Sequence, residues 1–151
     1  MATTTFRHDG PRRNERPDHD VGPTIRVDNV RFSDRPDPQL FADIAGQLAE
    51  EVARGSGDRV NKSTQLRRFY DELVMWQAKV GTSEERFVDA QPYIYMLKAK
   101  VAYSRGREHV DANFEALFRR VIDQAVSATT LRQAKLFMEA FMAFYKVHRP
   151  K

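Results

Sequence analysis

From Leu40 to Tyr145 the large apolar residues recur at intervals of three and four, and no run of alternating β-branched residues interrupts them. That spacing lines one face of a helix and suits no half-buried strand. Leu40, Phe41, Ile44, Leu48 and Val52 mark a first helix, which Asp37 is expected to cap and Pro38 to open. It runs to about Arg54, where Gly55-Ser56-Gly57 breaks it. Ser63 or Thr64 is expected to cap a second helix whose stripe is Leu66, Phe69, Tyr70, Leu73, Trp76 and Val80 and which Gly81 ends. Thr82 with Glu85 fits a capping box for a short helical piece. Pro92 is then expected to open a long third helix, stopped by Gly106. A fourth begins near Asp111 (Phe114, Leu117, Phe118, Val121, Ile122, Ala125). A fifth begins near Thr130 (Leu131, Ala134, Met138, Phe141, Tyr145, widened by Phe137 and Phe144). The predicted fold is all-α: a compact bundle of about five helices with short loops, over residues 37–151.

Residues 1–36 are of another kind. Arg and acids alternate among prolines and large apolar residues are sparse, as in a mostly unstructured or extended leader. The exception is Thr24-Ile-Arg-Val-Asp-Asn-Val-Arg-Phe32, whose apolar residues fall near alternate positions, as in an extended strand that docks on a partner.

Several functions are disfavoured. The chain has no Cys, hence no disulfide, no thiolate zinc site and no thiol nucleophile. No apolar run is long enough to span a bilayer and no secretory pattern opens the chain, so a cytoplasmic protein without a membrane partner is expected. His8-Asp9 and His19-Asp20 copy a dipeptide that supplies adjacent metal ligands in phosphohydrolases, but both sit in the leader without rigid support. His109 and His148 stand alone. Glu50-Glu51 and Glu84-Glu85 are neighbours that splay about 100° apart on a helix, whereas acid–base pairs must face each other. No phosphate-binding loop, nucleophile elbow or dinucleotide fingerprint occurs. Neither an enzyme, a metal nor a cofactor is expected.

Charge is more informative. The net charge is only +4, but its distribution is uneven. Asp37, Asp43, Glu50, Glu51 and Asp58 face Arg54 alone in the first segment, whereas residues 59–70 and 92–107 hold cations and no acid. Lys62 precedes the free N–H groups of the second helix, a natural phosphate seat to which Gln65 adds a donor. Arg67 and Arg68 lie off the apolar stripe, within reach of Asp71 and Glu72. On the third helix, counted from Ile94, Lys98 falls at about 40° and Arg105 at about 20°, while Lys100 falls at about 240° and Arg107 at about 220°. These are two cationic stripes on different sides. An unpaired cation is costly to bury, so their ends must reach water, an acid of another helix or subunit, or an anionic ligand. Two acid-free windows in one small bundle favour a polyanion, and Tyr93, Tyr95 and Tyr103 lie among the cations.

These windows carry a likeness to a known family. STQLRRFYDEL (63–73) resembles the Ser-Gln-Ile-Arg-Lys-Phe-Tyr motif of the small subunit of type III-A (Csm) CRISPR effector complexes. MLKAKVAYSRGR (96–107) resembles that family's Leu-Lys-x-Lys-Leu-Ala-Tyr-x-x-Gly-Arg motif, and FMEAFMAFYKVH (137–148) is similar to its closing segment. The likeness spans roughly residues 39–148. Thr64 replaces the Ser before Gln, and Ala99 stands where the family often has Pro. The resemblance implies a small all-α protein without catalytic activity, stacked in several copies beside the backbone subunits that hold the guide RNA and in contact with the large polymerase/cyclase-like subunit. It implies a groove along the guide–target duplex, touching mainly the target-RNA backbone. By matching motif positions, Arg67, Arg68, Lys98, Lys100, Arg105 and Arg107 become expected RNA contacts, with Lys62 and Gln65 added on physical grounds. Binding would then be independent of sequence, because phosphates position and base edges specify. Four to six phosphate contacts to single-stranded RNA predict a log–log salt slope of roughly −3 to −4. The rival is a structural scaffold whose cations meet neighbours' carboxylates. A helix-turn-helix DNA reader fits poorly, because its recognition helix needs an exposed polar face and the third helix is too apolar.

Overall fold

The computed structural model describes residues 22–150, so the His8-Asp9 and His19-Asp20 pairs lie outside the described residues. The fold is all-α: five helices, α1 (Asp43–Gly55), α2 (Ser63–Val80), α3 (Glu84–Gly106), α4 (Ala112–Gln124) and α5 (Ala128–His148), preceded by a 3-10 turn at Pro38–Phe41. No strand occurs among the described residues.

The caps explain most boundaries and correct some expectations. Asp37 accepts from the Gln39 N–H at 2.9 Å, but it caps only the 3-10 turn. Ala42, at φ −135° and ψ −97°, separates that turn from α1. Neither Ser63 nor Thr64 caps α2. Ser63 is its first residue, and its first turn has no side-chain cap. Gly81 ends α2 at φ +58° and ψ −127°, backbone that only glycine adopts freely. The expected break before Pro92 does not exist. Ser83 caps α3, its Oγ accepting from the Arg86 N–H at 3.2 Å, and the helix runs through Pro92 to Gly106. The ring therefore leaves the exposed Val88 turn without one backbone bond, and packing of Phe87, Ala90, Ile94 and Leu97 on either side holds the helix together. Asp111 caps α4 as expected, and Ser127 with Thr130 forms a capping box that starts α5 two residues early.

Helix α5 is central and packs against α1, α2 and α4, while α3 closes the bundle on α2 and α4. Rings link the layers: Phe69 of α2 meets Phe118 of α4 at 5.1 Å, Phe114 meets Phe141 of α5 at 6.3 Å, and Phe141 stacks on Tyr145 at 5.6 Å. Each such side chain contributes about 1.5–3 kcal/mol by leaving water. Tyr145 is fully buried and donates to the Asn61 carbonyl. Burial pushes its phenol above the ordinary tyrosine range, and burial does the same to Tyr70. Asn61, also buried and at φ +55°, receives the Asp111 N–H on Oδ1 and donates its own N–H to the His109 carbonyl, pinning the α1–α2 loop to the α3–α4 loop.

Residues 24–33 lie across α4 and α5 and turn at 27–30, where the Val30 N–H donates to the Val27 carbonyl at 3.0 Å, with Val30 and Phe32 in the core. The near-alternation of apolar residues in this segment is thus used on the chain's own bundle. Part of the expected leader, residues 22–36, is described, and residues 1–21 are not.

Candidate nucleic-acid interface

The two cationic stripes of α3 face two different helices. Lys98 and Arg105 point toward α4, where Lys98 Nζ meets Asp123 at 2.6 Å and Arg105 meets Glu115 at 2.9 Å. The latter pair is largely covered, with side chains 29% and 13% exposed. Lys98 also lies over the Tyr95 ring at 5.1 Å. Lys100 and Arg107 point toward the α2 side. Lys100 meets Glu72 at 3.0 Å, and Arg107 donates to the Tyr103 hydroxyl at 3.2 Å and covers that ring. Of the outlets open to these cations, Lys98, Lys100 and Arg105 take an acid of another helix of the same chain. No acid lies within reach on α3 itself, but α2 and α4 each turn acids toward it.

The other predicted residues separate in the same way. Arg68 is exposed and enters no ion pair among the described residues. By helical spacing Gln65 and Glu72 share its side of α2. Arg67 lies on the opposite side, toward α5, at 3.9 Å from Asp71 and lining a groove with Tyr70, Glu139 and Lys146. Lys62 borders an adjoining groove of about 770 Å³ at the uncapped start of α2, with Lys146, His148 and Arg149. Arg149 is committed there, donating to Ser56 Oγ at 2.7 Å. Lys146 and Arg149 were not singled out in the sequence, and His148 only as an isolated histidine, although the chain's basic end was a signal for them. The eight predicted contacts thus occupy three faces: Arg68, Lys100, Arg107 and Gln65 between α2 and α3, Lys98 and Arg105 against α4, and Lys62 with Arg67 toward α5.

The α2–α3 face has the properties of a docking surface. A shallow cleft of about 380 Å³ is lined by Arg68, Phe69, Met96, Lys100 and Tyr103 among others. Met96 is 56% exposed, Tyr103 66% and Tyr93 57%. Tyr93 stacks on Trp76 at 5.5 Å, and Lys79 caps that indole at 5.1 Å. Large apolar groups are thus left in water beside guanidinium groups that no carboxylate of the described residues holds.

The family model Csm2 Type III-A matches residues 35–151, more than three quarters of the chain. The chain belongs to the Csm2 family. It is a Csm2 small subunit of a type III-A CRISPR complex. The matched span covers the 3-10 turn and all five helices, and both α2 and α3 motif windows lie inside it. Val30 and Phe32 precede it, so the segment packed on α4 and α5 lies outside the Csm2 match. Comparison with curated proteins and with solved structures found no match. No described helix is long and apolar enough to cross a membrane.

Proposed function

We propose that this Csm2 subunit is non-catalytic, works in the cytoplasm, and binds the guide–target RNA backbone without sequence preference through its α2–α3 face. Copies stack side by side along the complex, next to the guide-holding backbone subunits and the large polymerase/cyclase-like subunit. The observation that carries this reading is the grouping of two guanidinium groups that enter no ion pair among the described residues, Arg68 and Arg107, with the outward rings and thioether of Tyr103, Tyr93 and Met96. Guanidinium groups take phosphate oxygens, and flat side chains take bases or ribose faces. Lys100 joins them when a phosphate replaces Glu72, an exchange between exposed partners that costs little.

The test is fluorescence anisotropy of a generic single-stranded RNA against salt. Binding whose affinity falls with salt, and which is indifferent to base sequence, supports the reading. A slope near zero sinks it.

The scaffold reading is favoured by one observation: Lys98, Lys100 and Arg105 are already satisfied inside the chain. It predicts that RNA fails to compete with assembly of the complex. Direct RNA contact predicts crosslinks from target RNA to Arg68, Tyr103 or Arg107.

A further inference from the structure

Helix α5 is apolar on two sides. Counted from Phe141 at 100° per residue, Ala134, Phe137, Met138, Phe141 and Tyr145 fall between about −40° and 60° and are buried. Leu136, Ala140, Ala143 and Val147 fall between about 200° and 260°, on the opposite side. The outward side of a helix that serves only its own bundle is normally polar. Here Leu136 is 37% exposed and Val147 74%, with Ala143 exposed and Ala140 half-buried between them. Phe144 widens the strip toward α1, where its ring lies over Gly46. None of these residues lines the α2–α3 cleft.

The strip is spaced four, three and four residues, the seam of a coiled coil. It also reads alike from either end: large, small, small, large. A second copy, turned about a twofold axis midway between Ala140 and Ala143, presents the same seam to the first. Leu136 then meets the partner's Val147, and Ala140 meets the partner's Ala143. The alanines let the helices approach, and the branched residues fill both ends. Charge fits the same arrangement. Glu139 and Lys146 lie two turns apart on one flank of the seam, beside Arg67 and Tyr70. Antiparallel pairing sets Glu139 near the partner's Lys146, and symmetry repeats the contact. Parallel pairing sets like charges level with each other. Within the chain Lys135 meets Glu139 at 3.3 Å, and Glu139 is 53% exposed, so its outer oxygen stays open to a second cation.

We propose that the outward side of α5 is a self-association surface, on which two copies of the unassembled chain pair antiparallel about a twofold axis. The contact closes on two copies, whereas a stack needs a contact that repeats. The pair is therefore a state of the free subunit, and it stands whether or not the α2–α3 face binds RNA.

Sedimentation equilibrium of the full chain should show monomer and dimer in a concentration-dependent balance. Val147→Asp, at the most exposed position of the seam, should weaken dimerisation at least tenfold and leave the helical circular dichroism unchanged. Glu139→Lys and Lys146→Glu should each weaken it, and the chain carrying both should recover most of the loss. The protein has no cysteine, so an equimolar mixture of Ala140→Cys and Ala143→Cys chains reads the register directly. On mild oxidation the mixed disulfide should outweigh either like pair. A chain that stays monomeric up to about 1 mM overturns the proposal, and so does a dimer that these variants leave intact. If wild type is monomeric and Val147→Asp instead blocks entry into the assembled complex, the surface belongs to another subunit and the proposal falls.

Discussion

The division of the α3 cations makes a sharp prediction, because two double variants remove equal charge and should act on different properties. Arg68→Ala with Arg107→Ala strips the α2–α3 face, where neither side chain enters an ion pair among the described residues. Lys98→Ala with Arg105→Ala strips the α4 side, where both are tied. Three phosphate contacts, from Arg68, Lys100 and Arg107, give a salt slope of about −2 on single-stranded RNA, at about 0.7 per contact. That is shallower than the motif-based expectation, because Lys98 and Arg105, held on the α4 side, no longer count. Arg68→Ala/Arg107→Ala should bring the slope to about −0.7, with the melting temperature shifted by no more than about 2 °C. Lys98→Ala/Arg105→Ala should leave the slope near −2 and act on stability instead. Glu115, only 13% exposed, loses its guanidinium, which costs about 1–3 kcal/mol, while the open Asp123 loses at most about 1 kcal/mol. A loss near 2 kcal/mol in a chain of this size lowers the melting temperature by about 7 °C. Anisotropy titrations at several salt concentrations and thermal melts by circular dichroism read both quantities. If Lys98→Ala/Arg105→Ala flattens the salt slope while Arg68→Ala/Arg107→Ala does not, the assignment of faces is refuted.

Phe32→Ala should destabilise by about 3 kcal/mol, read from a urea midpoint, since the ring is in the core against Phe137. An effect below about 0.5 kcal/mol would mean the segment is not anchored there. Pro92→Ala should raise stability by roughly 1–3 kcal/mol, by restoring a backbone donor inside α3; an unchanged or lower melting temperature would show that the ring itself is required. Tyr145 titrates above its unfolded value because of burial, so its contribution is complete below about pH 10 and declines as pH climbs from there through the raised folded value. Tyr145→Phe should flatten the alkaline loss of stability that sets in above about pH 10, leaving the share of Tyr70, and an undiminished alkaline decline would locate the effect elsewhere.

The helices were legible because their apolar residues obey one period and their caps are local. Asp111 before Phe114 and Gly81 after Val80 act within one turn. Errors arose where a local rule met a tertiary one. Pro92 is a good first helical residue in isolation, yet Phe87 and Ala90 are buried upstream of it, and their packing outweighs one lost backbone bond. Ser63 is a good cap in isolation, but its hydroxyl is placed to reach the Arg149 carbonyl at 3.4 Å. The site was half legible. Counting 100° per residue separated Lys98/Arg105 from Lys100/Arg107 correctly. Nothing local to α3 said that Glu72, Glu115 and Asp123, 28, 10 and 25 residues away, would meet them. Asn113, Arg120 and Gln133, which hold residues 24–33 against α4 and α5, were invisible for the same reason. Their partners lie 89 to 100 residues distant and are main-chain atoms, which leave no mark in a side-chain pattern.

A helix apolar on every side belongs in an interior, yet α3 is covered by only part of its circumference. Ile94, Leu97 and Val101 meet the bundle, and the three paired cations act as ties to the helices on either side. Burial of Ile94, Leu97 and Val101 sets the orientation of α3, the in-chain salt bridges agree with it, and together they leave an apolar line outward. Pro92, Met96, Ala99 and Tyr103, spaced at four, seven and eleven residues, form that line and face away from the core. Arg107 stands at the end of that line and Arg68 across the cleft from it. A partner covering the line must accept apolar contact along its middle and offer anions at that end, a pattern matched by a nucleic-acid strand with its bases turned inward to Tyr103 and its phosphates turned toward Arg68 and Arg107.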